Sequence, residues 1–576
     1  MQEEKQNIGA LRRLPLPVVV AAVLLVGGGA AAYWLFSQRG YTPGAKLAAD
    51  FLPANTSIAL SISTDADQWQ QLRTFGTKDS KQLFDNNLVQ LRDRFLSANG
   101  YDYDRDIRPW VGGDITLAFL PPPSLDPNEP STSPDGIIKN PVGQSVVMVL
   151  PIGNRAKAAE ILSLAKPLPN TEWVERTYNN ITIKESNGIG PQNYAVADFK
   201  GRFLVIANSS MAMNRTIDAY NSGDSLATVT GFNEAWNTIG STSNFARFYV
   251  NLPIAGAVTA MSIQGEVSPQ NLTAGQHQAI VATMNLEAEG IRFQSLSWLK
   301  PDSTAKYVVE NNATTMVNRL PASSLMVMTG GNLQRLWQNY AQTAQGNPLA
   351  PLKPEDLRQG VKTITKLDFD KDLLGWMAGE FSAALIPNPD PKASPFGWGL
   401  ALMVAASDRR VGEETLKKLN ELMAKEYKYK VENRLIGDRP VTEWISENGA
   451  ITATHGWLDG NFLFFTIGAP VGSTFVPTPT KPLNLSETFT NTVPLEPTPN
   501  NGQFFFDLEG FFKNPPNWMQ LPPGQKIFLN AIRAIGVTAA IADDRTTRYE
   551  LFLRLQKVGS PTPLPPPQVS PAPNKE

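Results

Sequence analysis

Two aspartate runs hold the densest set of groups that could do chemistry. Asp102-Tyr103-Asp104-Arg105-Asp106 and Asp368-Phe369-Asp370-Lys371-Asp372 each place three carboxylates at alternate positions. A calcium loop opens with that spacing, so Asp102, Asp104, Asp106, Asp368, Asp370 and Asp372 are the calcium candidates. The EF-hand pattern then asks for Gly at position 6 and Glu at position 12. Those positions hold Ile107 and Gly113 in the first run, and Leu373 and Gly379 in the second. Helix capping competes for the same residues. Asp106 or Asp372 would accept from backbone N–H groups at the start of a short turn, with the earlier aspartates in the preceding turn. Capping also tolerates Arg105 and Lys371, which a bound cation would not.

Other reactive groups are scarce. Cysteine is absent from the 576 residues. Disulfides, thiolate metal ligands, Fe–S clusters and thiol nucleophiles are therefore excluded. The two histidines, His277 and His455, lie far apart in sequence, which argues against zinc. No G-x-S-x-G elbow, Walker A loop or G-x-G-x-x-G after a strand is present, so no catalytic, cofactor-binding or metal residue is assigned beyond the calcium candidates. Carboxylate pairs for glycoside hydrolysis leave no local motif. The acids most alike in the two halves are Asp114 and Glu380, each expected as a polar strand start. Net charge is −2, which gives no footprint for nucleic acid.

The elements that position these groups recur along the chain. Asp106-Ile107-Arg108-Pro109-Trp110-Val111-Gly112-Gly113-Asp114 matches Asp372-Leu373-Leu374-Gly375-Trp376-Met377-Ala378-Gly379-Glu380 without a gap. Further blocks follow in the same order: Leu52-Pro53-Ala54 with Leu320-Pro321-Ala322, the apolar run at 146–150 with 400–405, and 201–206 with 460–465. The pattern predicts an α+β fold: a tandem duplication of a largely antiparallel sheet-plus-helices unit, at 50–313 and 314–557. Trp110 and Trp376 are expected as packing anchors. Residues 558–576 form a Pro-rich tail expected to be disordered, with a polyproline ligand as the alternative.

Leu14 to Phe36 is a charge-free stretch of 23 residues. At ~1.5 Å per residue it spans a ~30 Å hydrocarbon core, so a transmembrane helix is expected at 14–36. Arg12 and Arg13 precede it, and Tyr33, Trp34 and Phe36 end it. That polarity puts 1–13 in the cytoplasm and the bulk of the chain in the periplasm or thylakoid lumen. A cleaved signal peptide ending at Ala30-Ala31-Ala32 is the competing reading.

The Trp motifs, the Leu-Pro-Ala openings, the anchor and the Pro-rich loops together resemble a family of cyanobacterial single-pass membrane proteins, the DUF3352 family. The resemblance covers nearly the whole chain after the anchor. It implies an envelope or thylakoid-facing location and carries no activity, cofactor or site residue with it.

The expected function is a membrane-anchored, extracytoplasmic interaction or scaffold protein without catalytic activity. Its partners would be the bilayer, through 14–36, and a further protein. The alternative is a carrier of lipid or sugar in a cleft between the units, with Trp236, Trp298 and Trp457 as walls. A carboxylate-dependent hydrolase is the third reading.

Overall fold

The computed structural model describes residues 48–95, 102–122, 138–139, 145–163, 172–187, 194–239, 244–264, 266–267, 276–344, 352–390, 392, 396–513 and 523–560. The expected anchor at 14–36, the cytoplasmic segment 1–13 and nearly all of the Pro-rich tail lie outside them. Among the described residues no helix is long and apolar enough to cross a membrane.

The fold is α+β, with antiparallel sheets and helices. It divides into two units. The first holds residues up to Ala288, Phe293–Thr304 and the segment from Gln556; the second holds Glu289–Arg292 and Ala305–Leu555.

The first unit contains β1 (Ile58–Ser63), β2 (Asp114–Leu120), β3 (Ser145–Pro151), β4 (Glu172–Tyr178), β5 (Ile181–Asn187), β6 (Ala195–Phe199), β7 (Phe203–Ala207), β8 (Ala246–Asn251) and β9 (His277–Glu287). Their antiparallel order is β4-β5-β6-β7-β3-β2-β1-β8-β9. One face carries Ala59, Ala118, Val147, Val205, Tyr249 and Val281, all buried. The helix Ser210–Ser222 contributes Met213 and Ile217 to the same core. Ser209 caps that helix at Ala212 N, and Gly223 ends it at φ 76°, a conformation glycine takes without strain.

After β10 (Gly290–Leu299), the second unit contains β11 (Met326–Gly330), β12 (Phe381–Pro387), β13 (Trp398–Ala405), β14 (Lys430–Ile436), β15 (Arg439–Ile445), β16 (Ile451–Trp457), β17 (Phe462–Gly468), β18 (Gly502–Asp507), β19 (Ile532–Ile541) and β20 (Thr546–Leu555). The order is β14-β15-β16-β17-β13-β12-β11-β18-β19-β20. Strand for strand, from β4 to β9 and from β14 to β19, the two orders agree. One face of this sheet buries Val327, Ala384, Ala401, Met403, Phe464 and Phe505 beneath the 471–493 segment. One end of the other face buries Phe381, Val404 and Leu463 against Leu416 and Leu419 of the helix Arg409–Lys425. That helix is amphipathic and is capped by Asp408 at Val411 N.

Candidate functional site

Each aspartate run forms one wide turn, and its carboxylates are tied to that turn. The Asp102 carboxylate accepts from Arg105 N at 3.0 Å, while Asp102 N donates to Asp106 Oδ2 at 2.7 Å. In the second unit Asp368 accepts from Lys371 N at 2.9 Å, and its N–H donates to Asp372 Oδ2 at 2.8 Å. The cap is therefore Asp102 or Asp368, not Asp106 or Asp372 as the sequence suggested. The later aspartate reaches back four residues and closes the box, because the turn starts earlier than the Trp motif implies. Arg105 then covers both oxygens of the buried Asp106, at 3.0 and 2.9 Å. Asp104 pairs with Arg108 at 3.0 Å. Asp370 accepts from Arg358 at 2.6 Å and from Trp337 Nε1 at 2.7 Å. The Arg358 hydrogen bond, joined by that from Trp337, holds the Asp370 carboxyl below its usual range. Among the described residues no three Asp, Glu or His side chains gather as a cation-binding set.

Removing the cap, as Asp102→Ala or Asp368→Ala, is expected to cost about 1 kcal/mol of local stability. Hydrogen exchange of peptides across each turn reads that loss. Stabilisation of the natural chain by millimolar calcium, lost in either variant, would instead mark these carboxylates as metal ligands.

Trp110 and Trp376 pack above their turns, fully buried, and each Nε1–H donates to the carbonyl of Asp106 or Asp372, at 2.7 and 3.0 Å. Asp114 and Glu380 are each tied to partners within their own unit. Asp114 faces Arg247 at 2.7 Å within the first unit. Burial pushes its carboxyl up, and Arg247 partly offsets this. Glu380 accepts from Thr315 N at 2.7 Å and Met316 N at 3.2 Å, and from the Thr315 hydroxyl, inside the second unit.

The aromatic residues expected to wall a cleft serve elsewhere. Trp236 and Trp298 lie in the first unit's core, where the Trp298 Nε1–H donates to Thr230 O at 2.9 Å. Trp457 packs beside the second unit's core under the Arg409 guanidinium.

His277 Nδ1 lies 3.1 Å from Ser297 Oγ, and burial lowers its pKa. His455 is buried, stacked on Phe465, with Nε2 2.9 Å from Asn420 Oδ1 on the helix Arg409–Lys425. Trp444 Nε1 donates to the same oxygen at 2.7 Å. Burial lowers the His455 pKa to about 4.

Sequence inspection missed a matched ion pair in the edge hairpins. Arg176 and Glu185 face each other across β4 and β5 at 2.6 Å; Arg434 and Glu443 do so across β14 and β15 at 3.3 Å. Each pair sits at the same ladder position relative to its neighbours, with Arg176 opposite Ile183 and Arg434 opposite Val441. The signal was Arg and Glu at an identical nine-residue separation in both halves.

A second feature leaves no motif in the sequence. On the second sheet one cross-strand row runs Ile467–Leu400–Leu385–Met326–Phe506–Ile535 over six strands. Ile467 is 52% and Leu400 41% exposed. In the next row on that face, Met328 is 39% exposed, with Leu402 and Phe504 half-buried beside it. The opposite face is closed by the core described above. The exposure is local: Leu385 in the middle of the row is buried, and Phe506 packs on Phe511 with ring centroids 5.4 Å apart.

No curated protein is significantly similar to the chain. Crystal form I of TP0453 aligns at TM-score 0.23 and 10% identity, covering 46% of this chain and 81% of that one. Form III aligns at 0.22 and 11%, covering 47% and 84%. Scores that low carry no structural argument. One family does match, described as "Protein of unknown function (DUF3352)", and it does so over residues 18–555. That span takes in both sheets and both Trp turns, so the chain belongs to the DUF3352 family.

Proposed function

We propose that the protein is a non-catalytic binding protein, tethered by residues 14–36 and holding two copies of one unit on the periplasmic or thylakoid-lumenal side. The observation that carries this reading is what the recurring polar groups do. The Asp turns, the Arg–Glu hairpin pairs and the acids at 114 and 380 all hold backbone or neighbouring side chains in place. A catalytic carboxylate or histidine instead needs an accessible lone pair near a cleft. Support for the duplication comes from the shared strand order and from residues in equal register. Ser61 and Thr116 sit opposite one another where the second unit has Thr329 and Ser382. Asn154 and Asp408 cap equivalent helices after β3 and β13.

Cross-linking in intact membranes, with mass spectrometry of the attached chains, tests the reading. The same partner on residues 48–560 in independent preparations is expected, together with protection of that body from protease outside inside-out vesicles. Digestion there, or no partner in any preparation, would overturn it. A carrier of apolar ligands is the second reading, favoured by the exposed apolar side chains Ile467, Leu400 and Met328 on one face of the second sheet.

A further inference from the structure

We infer that β14, an edge strand of the second sheet, pairs antiparallel with β14 of a second copy of this chain about a two-fold axis at Asn433. The proposal goes beyond the non-catalytic reading by naming a partner, and it depends on neither the tether nor any other protein.

Backbone phase carries the geometry. Among the described residues β14 pairs with β15 alone, in one unbroken register from Lys430 to Ile436, and the turn Gly437-Asp438 closes on the Ile436–Arg439 pair. The closing pair of a two-residue hairpin is hydrogen-bonded, and bonded pairs then alternate with open ones along the ladder. Pro440 agrees with that phase: it has no N–H, so its pair with Leu435 cannot exchange both bonds. Lys430, Glu432, Arg434 and Ile436 therefore turn their backbone groups toward β15. Val431, Asn433 and Leu435 turn theirs outward, and among the described residues no backbone hydrogen bond outside the ladder reaches them. An antiparallel copy centred on Asn433 meets all three. Asn433 bonds with Asn433, and Val431 with Leu435 in each direction.

The side chains select the same axis. Glu432 of each copy lies opposite Arg434 of the other, and Arg434 is 54% exposed. Edge charges ordinarily keep strands apart. Here Glu432 and Arg434 flank Asn433 with opposite sign, so reversing the strand makes them complementary. On the other face Leu435, 70% exposed, comes against Val431 of the second copy. The Asn433 Oδ1 accepts from the Thr442 hydroxyl at 3.0 Å, which leaves the side-chain NH2 to donate to the facing amide.

The matching edge of the first unit shows why the occupant is β14 itself. β4 is also an edge strand of seven residues, but its midpoint is Glu175, and two carboxylates would face each other on that axis. Arg176, the counterpart of Arg434, is held by Asn214 at 2.7 Å. Pairing β14 with β4 in the same phase leaves Arg434 opposite Val174 and Lys430 opposite Tyr178. It would also join copies head to tail, whereas the two-fold pairing closes at a dimer.

The absence of cysteine makes the axis readable. The full-length chain carrying Asn433→Cys is treated in intact cells with a bismaleimide on an ethylene spacer. A cross-linked dimer is expected, since bonded residues facing on the axis lie ~5.5 Å apart. Leu435→Cys is expected to give at least ~10-fold less, because its two copies stand ~14 Å apart along the strands. Glu175→Cys is expected to be equally poor. Adding Leu435→Pro or Glu432→Lys to the Asn433→Cys chain is expected to lower the yield at least ~10-fold. The proline falls where the N–H points outward, which spares the hairpin. The lysine gains Glu443 across the hairpin and meets Arg434 of the second copy as a like charge. Hydrogen exchange of 430–445 checks that both variants keep the hairpin. No dimer with Asn433→Cys, an equal yield from Leu435→Cys or Glu175→Cys, or a yield untouched by both added changes overturns the pairing. The non-catalytic reading fails separately, only if the body turns over a substrate or lies on the other side of the membrane, and these cross-links report on neither.

Discussion

Trp376→Ala unfolds the second unit's helix–sheet corner at a cost of about 4 kcal/mol. The indole is 2% exposed and lies among Phe381, Val404, Leu416 and Leu419. Its truncation leaves a void that rigid neighbours on two elements fill only in part. Helix Arg409–Lys425 is fitted to the ring at Gly412, where an added Cβ would stand 3.1 Å from it. The indole N–H also donates to the backbone carbonyl of Asp372, the residue whose carboxylate closes the Asp368 turn. Trp376→Phe keeps most of the volume and forfeits mainly that hydrogen bond, for about 1 kcal/mol plus repacking. Urea titration followed by hydrogen exchange of peptides in 368–425 measures both, one unit at a time. A cost below about 1 kcal/mol for the alanine variant would remove Trp376 from the role of anchor. Trp110→Ala is expected to act alike on the first unit, because its ring is fully buried and donates to Asp106 O.

Those anchors were readable from the sequence because a tryptophan is costly to leave in water, and one repeated in register between Asp and Gly marks a packed corner in both halves. The strands at 58–63, 145–151, 398–405 and 462–468 were readable for a related reason: they are apolar runs of strand length bounded by turn residues. The edge hairpins were not. Glu172–Tyr178 and Lys430–Ile436 are charged and largely exposed, so neither face imposes an apolar period. What does mark them is turn chemistry, with Asn179 and Asn180 at φ 46° and 63° and Gly437 at φ 61°. The exposed apolar side chains of the second sheet were hidden by the opposite problem. Leu400–Ala405 and Phe462–Phe465 are apolar on both sides, which in sequence describes a strand buried on both sides. Only the folded chain shows that helix Arg409–Lys425 covers one end of that face while Ile467, Leu400 and Met328 stay exposed. The aspartate runs meet a third limit. Alternate aspartates suit an ion loop and a reciprocal cap equally well in sequence, and the Arg105 and Arg358 guanidinium contacts distinguish them only in space.

The second unit is expected to lose about 3 kcal/mol of stability as pH falls from about 6.5 to about 4, through His455 alone. Burial disfavours the imidazolium and lowers the folded pKa to about 4, against an ordinary value near 6.5. Between those values the unfolded chain holds the extra proton, so stability rises with pH across the window. The contribution is complete above about 6.5, declines through the interval, and is gone below about 4, where both states are protonated. The slope approaches ~1.4 kcal/mol per pH unit where only the unfolded state is charged. The surroundings explain why the cation finds no compensation. Phe465 stacks on the ring, Trp444 meets it edge-on, and Asn420 supplies one carbonyl oxygen already shared with the Trp444 N–H. Glu443, the nearest acid along β15, precedes Trp444 in the strand and so lies on the other face. The first unit provides the control residue. Val196 pairs with Ile206 where His455 pairs with Phe465, at the same place in the strand order. His455→Val should therefore flatten the pH dependence of the second unit between pH 4 and 6.5, at the cost of leaving the Asn420 amide oxygen with Trp444 as its one remaining donor. Urea midpoints from pH 7.5 to 4, read by hydrogen exchange of peptides spanning 409–425 and 451–457, decide the matter. An unchanged slope in the variant would assign the acid sensitivity to other groups.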